Sequence, residues 1–297
     1  MPAGSHARAL PGWAGFFCLL CLSSMVGAQP AGGNQSAVDV WTTFLKPRYF
    51  KDVVLVEDDT VITLKTPYRA EDAAFTPVSV TARFPQTPAR FIEKIFLIID
   101  NNPEPLAGRF TFTPEAGRAD LALRVRVDSY THVRAVAVLN TGEHHVVSNF
   151  VKAQGGCSAP LGSDYKAAIA RMGEMNFRTL AKPASGDAIL GQLLLRHPNV
   201  SGMQKDQKTQ LIRPAHFIKT LRLSYNGKPI MTAETGISIS EDPSFRFFFR
   251  PEAGGELRAE ISDSEGLQWS RVFTVDGQGR ASPVDDASDT ETRKSNG

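Results

Sequence analysis

The sequence predicts an all-β chain built as two β-sandwiches joined by a short helical linker. Two observations carry this. Short β-branched or alternating runs recur at close spacing, separated by turn chemistry. One stretch, residues 158–188, switches to helical spacing and divides the runs into two sets.

After a Gly/Asn/Gln-rich leader near 29–37, DVWTTFLKPRYF predicts one short helix or turn. Strands follow at VVLV (53–56), VITLK (61–65), VSVTARF (78–84), FIEKIFLIID (91–100), RFTF (109–112), DLALRVRV (120–127), HVRAVAVLN (132–140) and HHVVSNFVKA (144–153). Turn residues part them: Asp58-Asp59, Asn101-Asn102-Pro103 and Asn140-Thr141-Gly142. In DLALRVRV, Leu121, Leu123, Val125 and Val127 share one face, and Arg124, Arg126 and Asp128 the other.

LGSDYKAAIARMGEM predicts a helix, with Ser163 as N-cap and Tyr165, Ile169 and Met172 on one side. PASGD (183–187) reads as a linker. Strands resume at ILGQLLLRH (189–197), HFIKTLRLSYN (216–226), PIMTAE (229–234), ISIS (237–240), FRFFFR (245–250), ELRAEIS (256–262) and WSRVFTV (269–275). Asn226-Gly227 signals a tight hairpin. SGMQKDQKTQLIRPA is read as a long, polar, exposed loop. The predicted organisation is therefore a leader at 1–28, a first sandwich at 38–157, a linker at 158–188, a second sandwich at 189–276 and a disordered tail at 277–297.

The leader has one positive charge at Arg8, an apolar run WAGFFCLLCL, and small Ala28 before the expected cleavage point. This order predicts a secretory signal peptide and a periplasmic protein without a membrane span, since the apolar run is short for a bilayer of ~30 Å. The leader takes with it only Arg8 of the 33 basic residues, leaving near balance against 31 acids. Nothing in that balance points to nucleic acid.

Cleavage also removes Cys18 and Cys21, so Cys157 remains as the only cysteine. It follows Gly155 and Gly156 at the point where a strand releases the chain, which predicts a flexible arm carrying a working thiol. Lys152 is the candidate support for its thiolate. Two other readings remain open: an assembly module linked by a Cys157 disulfide, and an enzyme with a cysteine nucleophile. The second needs a histidine at the sulfur, and His132, His144, His145, His197 and His216 lie in no recognised catalytic motif. No metal site or cofactor is predicted, because adjacent His144 and His145 point to opposite faces of a strand, and His197 and His216 read as packing or capping residues. Phe245, Phe247, Phe248 and Phe249 read mostly as core.

YTHVRAVAVLNTGEHHVVSNFVKAQGGCSAP and IFLIIDNNPEPLAGRFTFTP resemble SoxY, the sulfur-carrier subunit of bacterial thiosulfate oxidation. RHPNVSGMQKDQKTQLIRPAHFIKTLRLSYNGKPIMTAETGISISEDPSFRFFF resembles its partner, SoxZ. The resemblance implies two immunoglobulin-like sandwiches that pair within one chain. It implies a carrier rather than an enzyme, with Cys157 as the covalent attachment residue on an arm freed by Gly155 and Gly156. The implied partners are periplasmic redox or sulfur-processing enzymes, among them cytochrome or quinoprotein systems. Where SoxY ends Gly-Gly-Cys-Gly-Gly, this chain continues with Ser158-Ala159-Pro160, a pattern similar to fused SoxYZ-like carriers associated with quinoprotein dehydrogenases.

Overall fold

The computed structural model describes residues 39–162, 164–180, 188–251 and 254–284. The expected leader, Ser163, the 183–187 linker and the tail beyond 284 lie outside them. In the first half, β1 (Leu55–Glu57), β2 (Ile62–Lys65), β3 (Thr76–Ala82), β4 (Ile92–Ile99), β5 (Leu106–Phe112), β6 (Leu121–Val125), β7 (Thr131–Leu139) and β8 (His144–Val151) form where alternation predicts them. In the second half come β9 (Met175–Thr179), β10 (Ile189–Leu195), β11 (Ile218–Tyr225), β12 (Lys228–Thr235), β13 (Ser244–Phe249), β14 (Gly254–Asp263), β15 (Gln268–Asp276) and β16 (Ala281–Pro283).

These strands make two stacked sheets of immunoglobulin-like type that run through both halves. The larger has the order β1-β8-β7-β4-β5-β12-β11-β14-β15-β16, and the smaller β2-β3-β6-β13-β10-β9. The halves thus meet edge to edge in each layer. In the larger sheet β5 pairs antiparallel with β12, from Phe112 opposite Met231 to Gly108 opposite Thr235. In the smaller, β6 and β13 share only the pair Ala122 and Arg246.

One hydrophobic core runs between the layers across both halves, from Ile95, Leu97 and Phe110 to Leu221, Ala233, Phe245 and Phe247. The FRFFF stretch supplies it by alternation: Phe245, Phe247 and Phe249 are buried, while Arg246 and Phe248 face outward. A second, smaller cluster lies on the outer face of the larger sheet. There a π-helical turn (Trp41–Leu45) runs into helix α1 (Lys46–Tyr49), and Trp41, Leu45 and Phe50 cover Ile98, Val136 and Val146. Covered on both faces, β7 becomes an almost continuous apolar run. The hairpin at Asn226-Gly227 forms as expected, with φ of 48° and 75°, both positive as a tight two-residue turn requires.

Three expectations are corrected. Among the described residues of the 158–188 segment, the α-helix is brief: helix α2 covers Tyr165–Ala170, Asp164 caps it by accepting the Ala167 N–H at 3.1 Å, and Gly173 at φ 85° marks the bend into β9. β9 was hidden because Met175, three residues after Met172, continues the helical spacing, and the short strand has only Met175 and Phe177 to show alternation. Residues 237–240 form a turn with one bridge, Ile239 to Val125, instead of a strand. Residues 277–284, expected in the disordered tail, are ordered: Asp276 accepts the N–H groups of Gln278 and Arg280 at 2.9 and 2.8 Å and so folds β16 back onto β15.

Candidate functional site

Where β8 ends, the chain stays tied to the first half. Lys152 N–H donates to Tyr68 O at 2.7 Å, and its own carbonyl accepts from Ala70 N–H at 3.1 Å. The arm then crosses the end of β6. Gly155 N–H donates to Asp128 O at 2.7 Å and Gly156 N–H to Val127 O at 3.1 Å. Gly155 has φ of 75°, a conformation that side chains resist. Gly156 is needed for a different reason: a Cβ there would meet Ala73 O at 2.3 Å and Val127 O at 2.6 Å. In this conformation the two glycines, read as freedom for the arm, let it press against the backbone of residues 73 and 127.

Cys157 is the result of that approach. It is 0% exposed, and its N–H donates to Asp128 Oδ1 at 3.1 Å. Burial pushes the thiol up to about 12, the negative charge of Asp128 pushes the same way, and Arg126 opposes both. Seated in this way, the thiol is held in its neutral form.

Side chains of the second half close over the arm. The Ser201 hydroxyl donates to Cys157 O, and Gln204 Nε2 donates to Ala159 O at 3.1 Å. Glu241 Oε2 accepts Gly162 N–H at 2.8 Å. Ser201 and Gln204 belong to the stretch read as an exposed loop, yet both are buried. Polarity suggested solvent; here it satisfies the backbone groups of the arm.

Arg126 was also read as outward-facing. Instead it is 1% exposed, among the largest fully buried side chains. β6 ends at Val125, so strand alternation no longer sets its direction, and the arm and the 199–204 segment cover it. Its Nη1 donates to Gly156 O at 3.3 Å and its Nη2 to Asn199 O at 3.4 Å. Asn102 fixes the same strand exit, donating to Arg126 O at 2.8 Å and accepting from Asp128 N–H at 2.9 Å. The cation whose charge reaches the thiol is thus Arg126. The expected one, Lys152, has its ammonium over the Tyr68 ring at 4.9 Å, because it leaves β8 on the Tyr68 side.

The histidines are engaged elsewhere, and no described hydrogen bond joins one to Cys157. His144 Nδ1 bonds Gly142 O and His145 Nδ1 bonds Asp58 Oδ1, each at 2.9 Å, and His132 packs edge-on against Phe150. His197 and His216 do more than frame a loop. With Asp263 they bring three ligand-type atoms within 4.8 Å of one another, a cluster that sequence spacing did not show. The hydrogen bonding argues against a metal. Asn199 N–H donates to His197 Nδ1 at 3.0 Å, so in the neutral ring the proton sits on Nε2, the atom that faces Asp263 at 3.6 Å. His216 Nε2 bonds Asp263 Oδ2 at 2.6 Å. Burial raises Asp263, but the two imidazoles facing it, His216 by a hydrogen bond, together with the Leu267 N–H, outweigh it and hold the carboxyl well below its usual range. The trio is a buried carboxylate held between two imidazoles.

Two family models match in tandem: the sulfur oxidation protein SoxY over residues 46–157, and the sulphur oxidation protein SoxZ over residues 177–274. The chain is a SoxYZ-like fusion. Its SoxY segment closes on Cys157 itself, and its SoxZ segment supplies Ser201, Gln204 and Glu241. Among solved structures, the sulfur carrier protein SoxY from Chlorobium limicola f thiosulfatophilum is similar at 23% identity and a TM-score of 0.31, over 37% of this chain and 88% of that one. A superoxide reductase (neelaredoxin) from Ignicoccus hospitalis follows at 17% identity and 0.29, over 31% of this chain and 79% of that one. A β-glycosidase from Bacteroides vulgatus shows 11% identity and 0.22, over 72% of this chain and 24% of that one. A search of curated proteins gives no match.

Proposed function

We propose that this SoxYZ-like chain is a periplasmic covalent carrier without turnover of its own, in which Cys157 holds a sulfur-containing intermediate and presents it to partner enzymes. The observation that carries the reading is the position of Cys157. It is the last residue of the SoxY match and lies where a strand hands the chain to a short arm, under side chains of the SoxZ match. On loading, the arm lifts and the thiol ionises in solvent. The thiolate then attacks an electrophilic sulfur, whose leaving group departs with the electron pair of the broken bond. On closing, burial shields the sulfur from stray oxidants. Ser158-Ala159-Pro160 after the cysteine, a pattern similar to carriers of quinoprotein dehydrogenase systems, supports redox enzymes of that kind as the proposed partners.

The test is intact-mass analysis of the protein isolated from its native compartment, before and after reduction, beside Cys157→Ser. The expected result is a reducible increment on Cys157 that vanishes in a normally folded variant. An unchanged increment in Cys157→Ser, or a reducible dimer and no adduct, refutes the carrier reading; the dimer supports the assembly module.

A further inference from the structure

Arg126 is placed as no structural argument for the fold requires. A guanidinium has five donors, and burial without an anionic partner is costly. Here the two terminal nitrogens make long bonds to backbone carbonyls, Gly156 O at 3.3 Å and Asn199 O at 3.4 Å, and Nε has no partner. Among the described residues no carboxylate forms an ion pair with it. Burial works against its charge, while the more distant negative charges of Glu241 and Asp72 act in its favour. Arg126 thus sits beside the residue proposed to carry cargo, still charged and under-bonded.

We infer that Arg126 is the anion-recognition residue of the carrier: it pairs with a negatively charged sulfur group attached to Cys157 and holds the loaded arm against the SoxZ segment. This deepens the carrier reading and rests on it for its biological meaning. The exchange is local. The buried thiol leaves no room, so an added group displaces the arm and breaks the long bond from Arg126 to Gly156 O. The freed donors and unpartnered Nε then meet the attached anion. A neutral group gains no such pairing, and a cationic one is repelled. Cargo charge would thereby decide how firmly the arm reseats.

Three methanethiosulfonate reagents of matched length, ending in a sulfonate, a methyl or a trimethylammonium group, install the three charges on Cys157 chemically. Complete labelling is checked by mass, and the melting temperature of each adduct is measured. The expected order in the unsubstituted protein is anionic above neutral above cationic, with about 2–4 °C for each kcal/mol of pairing. Arg126→Gln collapses the order, and Arg126→Lys keeps it with a smaller spread. Equal melting of the three adducts in the unsubstituted protein overturns the inference even where Arg126→Gln does not fold, as does an unchanged order in a folded Arg126→Gln. Because the adducts are made chemically, a protein that carries no native adduct but keeps the charge order refutes the carrier reading alone.

Discussion

The two halves are joined twice, by opposite means. In the larger sheet the join is a backbone ladder from Gly108 opposite Thr235 to Phe112 opposite Met231, with Phe110 beneath it against Phe245, ring centroids 6.5 Å apart. In the smaller sheet the ladder shrinks to Ala122 and Arg246. Beyond it come the bridge of Val125 to Ile239 and two backbone bonds, Arg126 N–H to Ser238 O and Ser240 N–H to Arg124 O, and then, around Cys157 and its arm, single polar groups: Asn102, Arg126, Asn199, Ser201 and Gln204. A ladder over an apolar core opens only as a unit. Side-chain bonds to backbone contribute about 1 kcal/mol each and break singly. One seam is suited to permanence, the other to being opened and remade.

The contrast breaks most visibly at Phe110. Phe110→Ala removes a fully buried ring from the permanent seam and is expected to destabilise the whole chain by about 3–5 kcal/mol in urea denaturation. Because one core serves both halves, the loss should appear in a single transition; two separated transitions would show the halves to be independent. Gly156→Ala acts on the other seam. Its Cβ cannot coexist with Ala73 O at 2.3 Å, and such overpacking costs about 1–3 kcal/mol. The expected outcome is an intact fold whose Cys157 alkylates roughly ten-fold faster or more, since each 1.4 kcal/mol is a factor of ten; an unchanged rate would mean that the arm does not need this seat. The smallest effect belongs to Ser201→Ala, which removes one bond to Cys157 O and should speed alkylation about five-fold, matching about 1 kcal/mol, with unfolding unchanged. A loss of global stability there would show that the polar seam, too, holds the fold.

Much of this was legible in the residues. Leu121, Leu123, Val125 and Val127 point inward as their alternation requires, and Asn226-Gly227 turns as its φ preferences dictate. Cys157 drew attention as a lone cysteine after two glycines. What surrounds it did not. Arg126 looked like the outer face of a strand, Ser201 and Gln204 like an exposed loop, and Lys152 like the cation for the thiol. His197, His216 and Asp263 lie in three separate segments, and nothing in their spacing marked their convergence.

The division has a physical cause. Period-two patterning, turn preferences and the glycine pair are local, acting over a few bonds, so the sequence by itself determined most of the strands, the Asn226-Gly227 hairpin, the all-β class and the position of the cysteine. Whether a polar side chain meets water or another backbone depends on what long-range packing brings over it. Only the tertiary structure decided that the sheets would run continuously through both halves, and that the second half would bury the thiol of the first beside an arginine.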